Sequence, residues 1–367
     1  MYQSLLVSLL VVLFAVFHYS PANTRTMSRQ VVTTTTPLEW EEVKDMVDPP
    51  STRSSHGVSV IGNRLYVFGG EHVARTPIDS TMYSFDFDKM EDKAWTTCKV
   101  VGETVPSPRV AHSQAAVGST IFIFGGRQGV AMSEAPLNDL YAYDTEAGTW
   151  TNLTTPSAGT APSPRSFHKM VSVGTKLYVF GGCGAKGRLA DLYSYDVPTK
   201  TWTQLPGHDI GGRGGAGFVA VSSESALYVV GGFAGKEMND VYRFNLDTQA
   251  WEGVHGDGAA DNQIRPFSVS CGGVLSDNTI VFFGGEVDPS AKGHEGAGGF
   301  SNDCQLFDGT TGKYTGTTGA MTKPMTRGWT AAGVLADGKR LVVFGGLSGD
   351  DSNPLRLNDL WVLNAKK

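Results

Sequence analysis

The sequence lacks the motifs that mark common cofactor sites and shows no sign of a nucleic-acid partner. It has no P-loop, no dinucleotide-binding fingerprint and no Ser-His-Asp order of a hydrolase. The glycine-rich stretch Gly211–Gly215 is not a phosphate loop, because no lysine follows it directly. Acidic residues outnumber basic ones, 36 to 30, which gives a net charge of −6. Because nucleic-acid-binding proteins normally carry a basic surface, we expect no nucleic-acid partner.

Cysteine is also scarce. The four cysteines, Cys98, Cys183, Cys271 and Cys304, show neither zinc-site nor redox-motif spacing. In the repeat pattern described below, Cys271 and Cys304 fall on non-adjacent strands of one unit. Two strand spacings of about 4.8 Å would separate them, which exceeds the reach of a disulfide bond. We therefore expect reduced, buried thiols, a state that favours a reducing compartment.

Long hydrophobic runs are limited to one, Leu5–Phe17. It is shorter than the roughly 20 residues of a membrane-spanning helix. The run is typical of a signal-peptide core, with Ser20–Ala22 as the cleavage site, although no lysine or arginine precedes it. We therefore interpret residues 1–22 as a signal peptide or targeting segment.

Two translation starts remain open, and they predict different locations. Starting at Met1 predicts entry into the secretory pathway, with membrane contact only through an uncleaved N-terminal segment. Starting at Met27 predicts a cytoplasmic protein. Residues 23–36 are expected to be a linker, and residues 37–367 a single folded domain.

Glycine, by contrast, is abundant, with 46 residues, and its pattern defines the fold. Apolar strands end in Gly-Gly doublets that begin at Gly69, Gly125, Gly181, Gly231, Gly284 and Gly345. Successive doublets are 56, 56, 50, 53 and 61 residues apart. A period near fifty with four short strands per unit is typical of a β-propeller of kelch type. From about Leu38 to the C-terminus, the sequence resembles the kelch-repeat family.

The two ends of the repeat region predict how the ring closes. The last unit has no strand after Trp361, whereas Leu38–Val43 is a spare strand with its own Trp40. We predict an all-β, six-bladed kelch propeller in which this N-terminal strand completes the C-terminal blade. Such closure leaves no exposed terminal edge.

An arginine precedes every doublet, and two interpretations of this set remain open. The six residues are Arg53, Arg109, Arg165, Arg213, Arg265 and Arg327. A structural interpretation has each guanidinium bind loop carbonyls and tie neighbouring blades. A functional interpretation has them line one face of the ring, near Trp329, and bind an anion or an acidic peptide. Arg109 and Arg165, which share a Pro-Ser-Pro-Arg context, are the strongest ligand-binding candidates.

The loop after the fifth doublet is long and contains Glu286, Asp288 and His294. Here the chain resembles the plant nitrile-specifier and thiocyanate-forming proteins, which redirect glucosinolate breakdown with ferrous iron. The resemblance implies an iron motif of a glutamate, an aspartate four residues later and a histidine four beyond that. Glu286 and His294 are in register, but Ser290 occupies the aspartate position, and a hydroxyl is a poor iron ligand. Asp288 could replace it only if the loop were rebuilt.

The same resemblance implies that Arg109, Arg165 and Trp329 shape a substrate pocket. Two functions follow. The first is a non-catalytic binding protein, without a cofactor, whose arginine-lined face engages a protein or a small anionic ligand. The alternative is an Fe(II)-dependent, specifier-type lyase that acts on glucosinolate aglucones.

Overall fold

The computed structural model describes residues 38–129, 136–155, 157–256, 263–292, 296–318 and 323–365. The segments predicted as signal peptide and linker, and the predicted ligand His294, lie outside these residues. The described chain consists of β-strands and two single-turn 3-10 helices, Phe87–Lys89 and Ser222–Glu224. The propeller lies within the compact unit Thr36–Lys367. None of the helices in the described ranges is long and apolar enough to cross a membrane.

The strands follow the chain as six successive antiparallel sheets, or blades, after an initial strand β1 (Leu38–Glu42). Blade one contains β2 (Gly57–Ile61), β3 (Arg64–Phe68), β6 (Met82–Asp86) and β7 (Trp95–Thr97), with a small hairpin of β4 (Glu71–Val73) and β5 (Thr76–Pro77). Blade two contains β8 (Ser113–Val117), β9 (Thr120–Gly126), β10 (Leu137–Asp144) and β11 (Thr149–Asn152). Blade three contains β13 (Lys169–Val173), β14 (Lys176–Gly184), β15 (Gly187–Asp196) and β16 (Thr201–Gln204), with the short parallel strand β12 (Ala158–Gly159).

The second half of the ring repeats the arrangement. Blade four contains β17 (Gly217–Val221), β18 (Ala226–Phe233), β19 (Glu237–Asn245) and β20 (Ala250–His255). Blade five contains β21 (Cys271–Val274), β22 (Thr279–Phe283), β25 (Cys304–Asp308) and β26 (Tyr314–Thr318), with a hairpin of β23 (Glu286–Asp288) and β24 (Gly299–Phe300). Blade six contains β27 (Ala331–Val334), β28 (Arg340–Gly349) and β29 (Pro354–Ala365), and β1 is its fourth strand. The predicted all-β, six-bladed propeller is confirmed.

Ring closure through the N-terminal strand is also confirmed. β1 pairs antiparallel with β29, with Leu38 opposite Ala365 and Glu42 opposite Trp361. Trp40 is buried, and its ring lies 4.7 Å from that of Phe283 in blade five. The first described strand, β1, and the last, β29, therefore share one blade, and β1 covers the edge of β29 as the outer strand of that blade.

Neighbouring blades pack together through aromatic side chains, each of which contacts the preceding blade. Trp150 of blade two lies 5.4 Å from Phe68 of blade one, and Trp202 of blade three lies 5.2 Å from Phe124 of blade two. Both pairs are buried, at the centroid separations preferred by aromatic rings. The tryptophan that opens the last strand of these blades therefore supplies packing between blades.

The second glycine of the Gly-Gly doublet leaves space for a histidine side chain that packs between blades. Gly126 adopts φ +95°, and a Cβ atom there would lie 2.8 Å from the Cβ of His112. The His112 ring in turn packs edge-on against Phe68 of the preceding blade, at 5.7 Å. Burial lowers the pKa of His112 well below its usual value, so the ring is neutral. Glycine is required because both its backbone conformation and the adjacent histidine exclude a side chain.

Candidate functional site

Five of the six predicted arginines hold together the strands of their own blade. In blade two, Arg109 donates to both carboxylate oxygens of Asp139, at 2.6 and 2.9 Å, and to the carbonyl of Gly125 at 3.0 Å. The carbonyl of Arg109 accepts a hydrogen bond from Gly70 of blade one. Equivalent ion pairs are Arg165–Asp191, Arg213–Asp240, Arg327–Asp359 and the longer Arg53–Asp79.

These contacts favour the structural interpretation of the arginines. The side chains of all five have no solvent exposure. Arg109 and Arg165 therefore do not line the mouth of the ring, where the sequence placed them as pocket residues. A ligand could reach their guanidinium groups only by displacing the carboxylates of Asp139 and Asp191, whose side chains are 23% and 24% exposed. Their binding role stays a prediction without support from the geometry.

Blade five differs from the sequence interpretation. The position equivalent to the buried arginines is occupied by Phe267, whose carbonyl accepts from Gly232 as the arginine carbonyls do elsewhere. Arg265 lies two residues earlier, with 53% of its side chain exposed and a 3.3 Å ion pair to Asp303. The sequence assigned Arg265 to the repeat because it is the nearest arginine. The tertiary structure shows that Phe267 occupies the place of the buried arginine in blade five, so an apolar ring is buried there instead of a guanidinium.

A belt of backbone hydrogen bonds encircles the central channel beneath these loops. One residue from each blade contributes to the belt, two positions after the buried arginine or the phenylalanine that replaces it. The N–H of each donates to the carbonyl of the corresponding residue in the neighbouring blade, in a closed circle with N···O distances of 2.8–2.9 Å. The six residues are Ser55, Ala111, Phe167, Gly215, Val269 and Trp329. All six adopt positive φ, between 45° and 62°, which non-glycine residues rarely do. Each residue is held in this conformation by the two backbone hydrogen bonds that it makes within the circle, so the belt is a rigid floor for the mouth.

The walls of the mouth come from the residues that follow the doublets. Each of these pairs with the residue just after the buried arginine position, so the six stand at equivalent places around the ring. In order of blades they are Glu71, Arg127, Cys183, Phe233, Glu286 and Leu347. The repeat determines where each of these six residues lies, but not which residue type occupies the position. The six side chains therefore determine how charge and polarity vary around the mouth.

One side of the mouth is cationic. Arg127 of blade two and Arg188 of blade three both act electrostatically on the Cys183 thiol, lowering its pKa against the larger upward effect of burial. Arg188 pairs across its hairpin with Cys183, is exposed, and stacks 4.5 Å over the ring of Phe233 in blade four. Blade three thus presents an exposed guanidinium, that of Arg188, over an aromatic face of blade four, and the buried Arg127 of blade two adds positive charge near Cys183.

The other side of the mouth is acidic. Glu286 is 7% exposed, and burial raises its pKa to about 7. The nearby carboxylates of Glu237, Asp351 and Asp288 add to that rise, while the Ser290 N–H opposes it. These carboxylates come from blades four, five and six. The mouth is therefore divided between cationic and anionic halves.

Asp351 stands where the resemblance lacks a carboxylate. Ser290 Oγ donates to Asp351 Oδ1 at 2.5 Å, and the Ser290 N–H faces Glu286 Oε1 at 3.4 Å. A Cβ at Gly296 would lie 2.0 Å from Asp351 Oδ1. At Gly298, a Cβ would lie 2.6 Å from Glu286 Oε1. The two glycines keep open the space beside these oxygens.

The carboxylates of Glu286 and Asp351 are donors of the kind that a divalent cation requires. Carboxylate oxygens suit ferrous iron, and the absence of side chains at Gly296 and Gly298 leaves those of Glu286 and Asp351 uncovered on that side. Within the described ranges, no group of three or more histidine, cysteine, aspartate or glutamate side chains is arranged to hold a metal. A third protein ligand would have to come from His294, outside the described residues. The two carboxylates fit part of an iron site.

Trp329 has a place in both the belt and the mouth. It is 6% exposed, and its ring lies 6.2 Å from Phe300 in an edge-on arrangement. With Val269 and Leu347 it forms an apolar cluster beneath the loops of blades five and six. The predicted pocket residue is thus a buried part of the floor.

Sequence reasoning missed Arg127, Arg188 and Asp351. Arg127 directly follows a doublet, as Glu286 does, so alignment of the six doublets would have brought it to attention. Arg188, at the start of β15, and Asp351, between β28 and β29, have no repeat signal, because the connections between the second and third strands differ in length from blade to blade. Their proximity to Cys183 and Ser290 is a property of the closed ring.

Comparisons with known proteins agree with the fold and the repeat pattern. The family model described as the KLHDC2/KLHL20/DRC7 Kelch-repeats domain matches residues 18–158 and 56–285. The protein from Thlaspi arvense named N-(sulfonatooxy)prop-2-enimidothioate sulfolyase is 33% identical over 335 residues, covering 84% of this chain and 92% of that protein.

Two further relatives are more distant. Kelch domain-containing protein 3 of Bos taurus is 28% identical over 254 residues, or 65% of this chain and 63% of that protein. The solved structure of YjhT superposes with a TM-score of 0.66 at 16% identity, over 85% of this chain and 95% of that one, and supports the propeller fold alone. The chain therefore belongs to the kelch-repeat β-propeller family and is similar to its nitrile-specifier and thiocyanate-forming branch.

Proposed function

We propose that the mouth of this propeller binds a small organic anion, and that the anionic group is a sulfate ester. The observation that carries the proposal is the exposed guanidinium of Arg188 over the aromatic face of Phe233, with Arg127 acting on the same Cys183 thiol. The name of the Thlaspi arvense relative, a sulfolyase of a sulfonatooxy compound, supports sulfate as the group. Kelch propellers are in general binding domains, so the site and not the fold must define the ligand.

The geometry suits such a ligand in three respects. A guanidinium binds an oxyanion through parallel N–H donors, which a sulfate ester accepts well. The apolar floor contributed by Phe167 and Trp329 suits an organic substituent. The acidic side around Glu286 repels a second anionic group, so the sulfate is directed towards Arg188 and Arg127.

Replacing Arg188 by alanine is expected to weaken binding of 4-nitrophenyl sulfate by about 10- to 100-fold, because a hydrogen bond to a charged group contributes about 1.5–3 kcal/mol. Isothermal titration calorimetry measures the change. Arg265→Ala removes an exposed arginine from blade five and is the matched control, with less than a twofold effect expected. The neutral analogue 4-nitroanisole should bind equally to both variants. Equal losses in the two variants would show that only net charge matters, and undetectable binding to the unmodified protein would redirect the search to a protein ligand.

A second candidate function is favoured by one observation, the contact between Asp351 and Ser290. We propose that Glu286 and Asp351, together with His294, hold ferrous iron for specifier-type lyase chemistry on a sulfated aglucone. Asp351, from the neighbouring blade, replaces the carboxylate that the motif lacks at position 290. The bound ion would supply Lewis-acid or one-electron chemistry. Arg188, with Arg127 nearby, would hold the departing sulfate.

The iron proposal predicts a dependence on both Asp351 and pH. Asp351→Asn is expected to weaken Fe(II) binding at least tenfold, whereas Asp277→Asn, which changes an exposed turn carboxylate of blade five, should have no effect. Because Glu286 has a pKa of about 7, its proton competes with the metal below that pH. Affinity should therefore rise about tenfold from pH 6 to pH 8.

Anaerobic titration with ferrous iron, with a chromogenic chelator as competitor, measures both effects. Glu286→Gln should abolish binding along with its pH dependence. Iron affinity that survives in both the Asp351→Asn and Glu286→Gln variants would overturn the site. The outcome does not depend on turnover, so it separates metal binding from the lyase reaction.

A further inference from the structure

The central channel below the belt contains a feature that the mouth does not use. The first strands of all six blades line a cavity of about 400 Å³. Its wall includes apolar side chains such as Val58 and Ala115, and serine hydroxyls such as Ser59. Lys169, at the start of β13, differs from these neutral side chains because it carries an amine that can be charged.

Lys169 extends across the channel. Its Nζ donates to the carbonyl of Ser270, two blades away, at 3.3 Å. Among the described residues that line the cavity, Lys169 is the single lysine or arginine, and no aspartate or glutamate accompanies it. Burial lowers the pKa of the amine, with only the Cys271 thiol acting in the opposite direction. The arrangement differs from that of the buried arginines, each of which has an aspartate.

An ammonium enclosed in the channel without a counter-ion is unfavourable, so the site requires either a neutral amine or an anion. Other groups on the cavity wall can also donate to an anion. The hydroxyls of Ser59 and Ser270 and the ring nitrogens of His112 are buried without a hydrogen-bond partner in the structure. The wall thus offers O–H and N–H donors and one amine, but no carboxylate that would suit a cation.

We propose that the channel holds a small monovalent inorganic anion of chloride size, paired with the ammonium of Lys169. The anion completes the charge balance that aspartates provide for the buried arginines. A multiply charged oxyanion such as phosphate is disfavoured, because its dehydration would be far costlier and a single ammonium would balance only part of its charge. The residues proposed to hold this anion, Lys169, Ser59 and Ser270, differ from Arg127 and Arg188 of the mouth, so the two sites can be tested independently.

The test is thermal unfolding at constant ionic strength while sodium gluconate, whose anion is too large and hydrated for the site, is replaced by sodium chloride. Each tenfold increase of chloride above its Kd should raise the Tm of the unmodified protein by about 2 °C. Lys169→Met should lose this response. Lys176→Met, which removes an exposed lysine from the next strand of the same blade, should keep it.

Line broadening of the ³⁵Cl resonance by the unmodified protein, reversed by excess nitrate, provides a second measurement that needs no variant. Absence of both the Tm response and the broadening would overturn the proposal and leave a neutral, hydrated amine. A chloride response that is identical in Lys169→Met would also overturn it, because the anion would then lie elsewhere.

Discussion

Replacing Asp240 by alanine is expected to destabilise the propeller by about 3–5 kcal/mol, the usual effect of removing one partner of a buried ion pair. Asp240 accepts from both terminal nitrogens of Arg213, at 2.5 and 3.0 Å. Its side chain is 3% exposed and that of Arg213 is not exposed at all. The variant would leave the guanidinium buried without a counter-ion. The midpoint of urea-induced unfolding should fall accordingly.

Blade five provides the matched control for this prediction. Asp303 occupies the equivalent position but pairs with Arg265 at 3.3 Å, with 36% and 53% of the two side chains exposed. Exposed pairs contribute about 0–1 kcal/mol, so Asp303→Ala should change the free energy of unfolding by less than 1 kcal/mol. If the two alanine variants were equally destabilised, the buried Arg–Asp pairs would not be what stabilises the blades.

Beginning the chain at residue 46 instead of residue 36 is expected to abolish cooperative unfolding of the ring or to lower its Tm by more than 10 °C. This deletion of the initial strand removes the fourth strand of blade six, exposing the edge of β29. It also removes Leu38 and Trp40 from the core cluster shared by blades five and six. Differential scanning calorimetry of the two proteins measures the effect.

Point variants on the two faces of β1 separate the contribution of packing from that of strand pairing. Trp40→Ala should cost about 3–5 kcal/mol, because it empties a buried aromatic site. Glu41→Ala, on the exposed face of the same strand, should be nearly neutral. A ring that unfolds with an unchanged Tm after loss of the strand would show that blade six is stable with three strands and that closure is not required.

The sequence alone was sufficient for the architecture, because each blade repeats the same physical requirements. A buried strand needs apolar side chains, the doublet needs glycine beside a neighbouring blade, and packing between blades needs an aromatic ring. Trp40 in a spare N-terminal strand was enough to predict closure, since the last unit was short of one strand. Because the pattern occurs six times, it could be recognised in the sequence without knowledge of which residues are in contact.

The tertiary structure alone decided what the arginines do and which side chains form the mouth. The pattern could not distinguish a guanidinium that faces solvent from one that pairs with an aspartate about thirty residues away, as Arg109 does. Nor could it show that Phe267 takes the place of the fifth arginine, because one apolar residue near an arginine is unremarkable in a sequence.

The candidate site depends on contacts between blades, which sequence spacing does not encode. Glu286 was identified from its loop, but Asp351 lies 61 residues beyond its partner Ser290 and reaches it only because the ring closes. Lys169 likewise meets Ser270 across 101 residues. The sequence by itself determined the propeller and its closure, since both arise from a local pattern repeated six times. Only the tertiary structure decided the chemistry of the mouth and channel, since both are built from non-repeating side chains that the ring brings together.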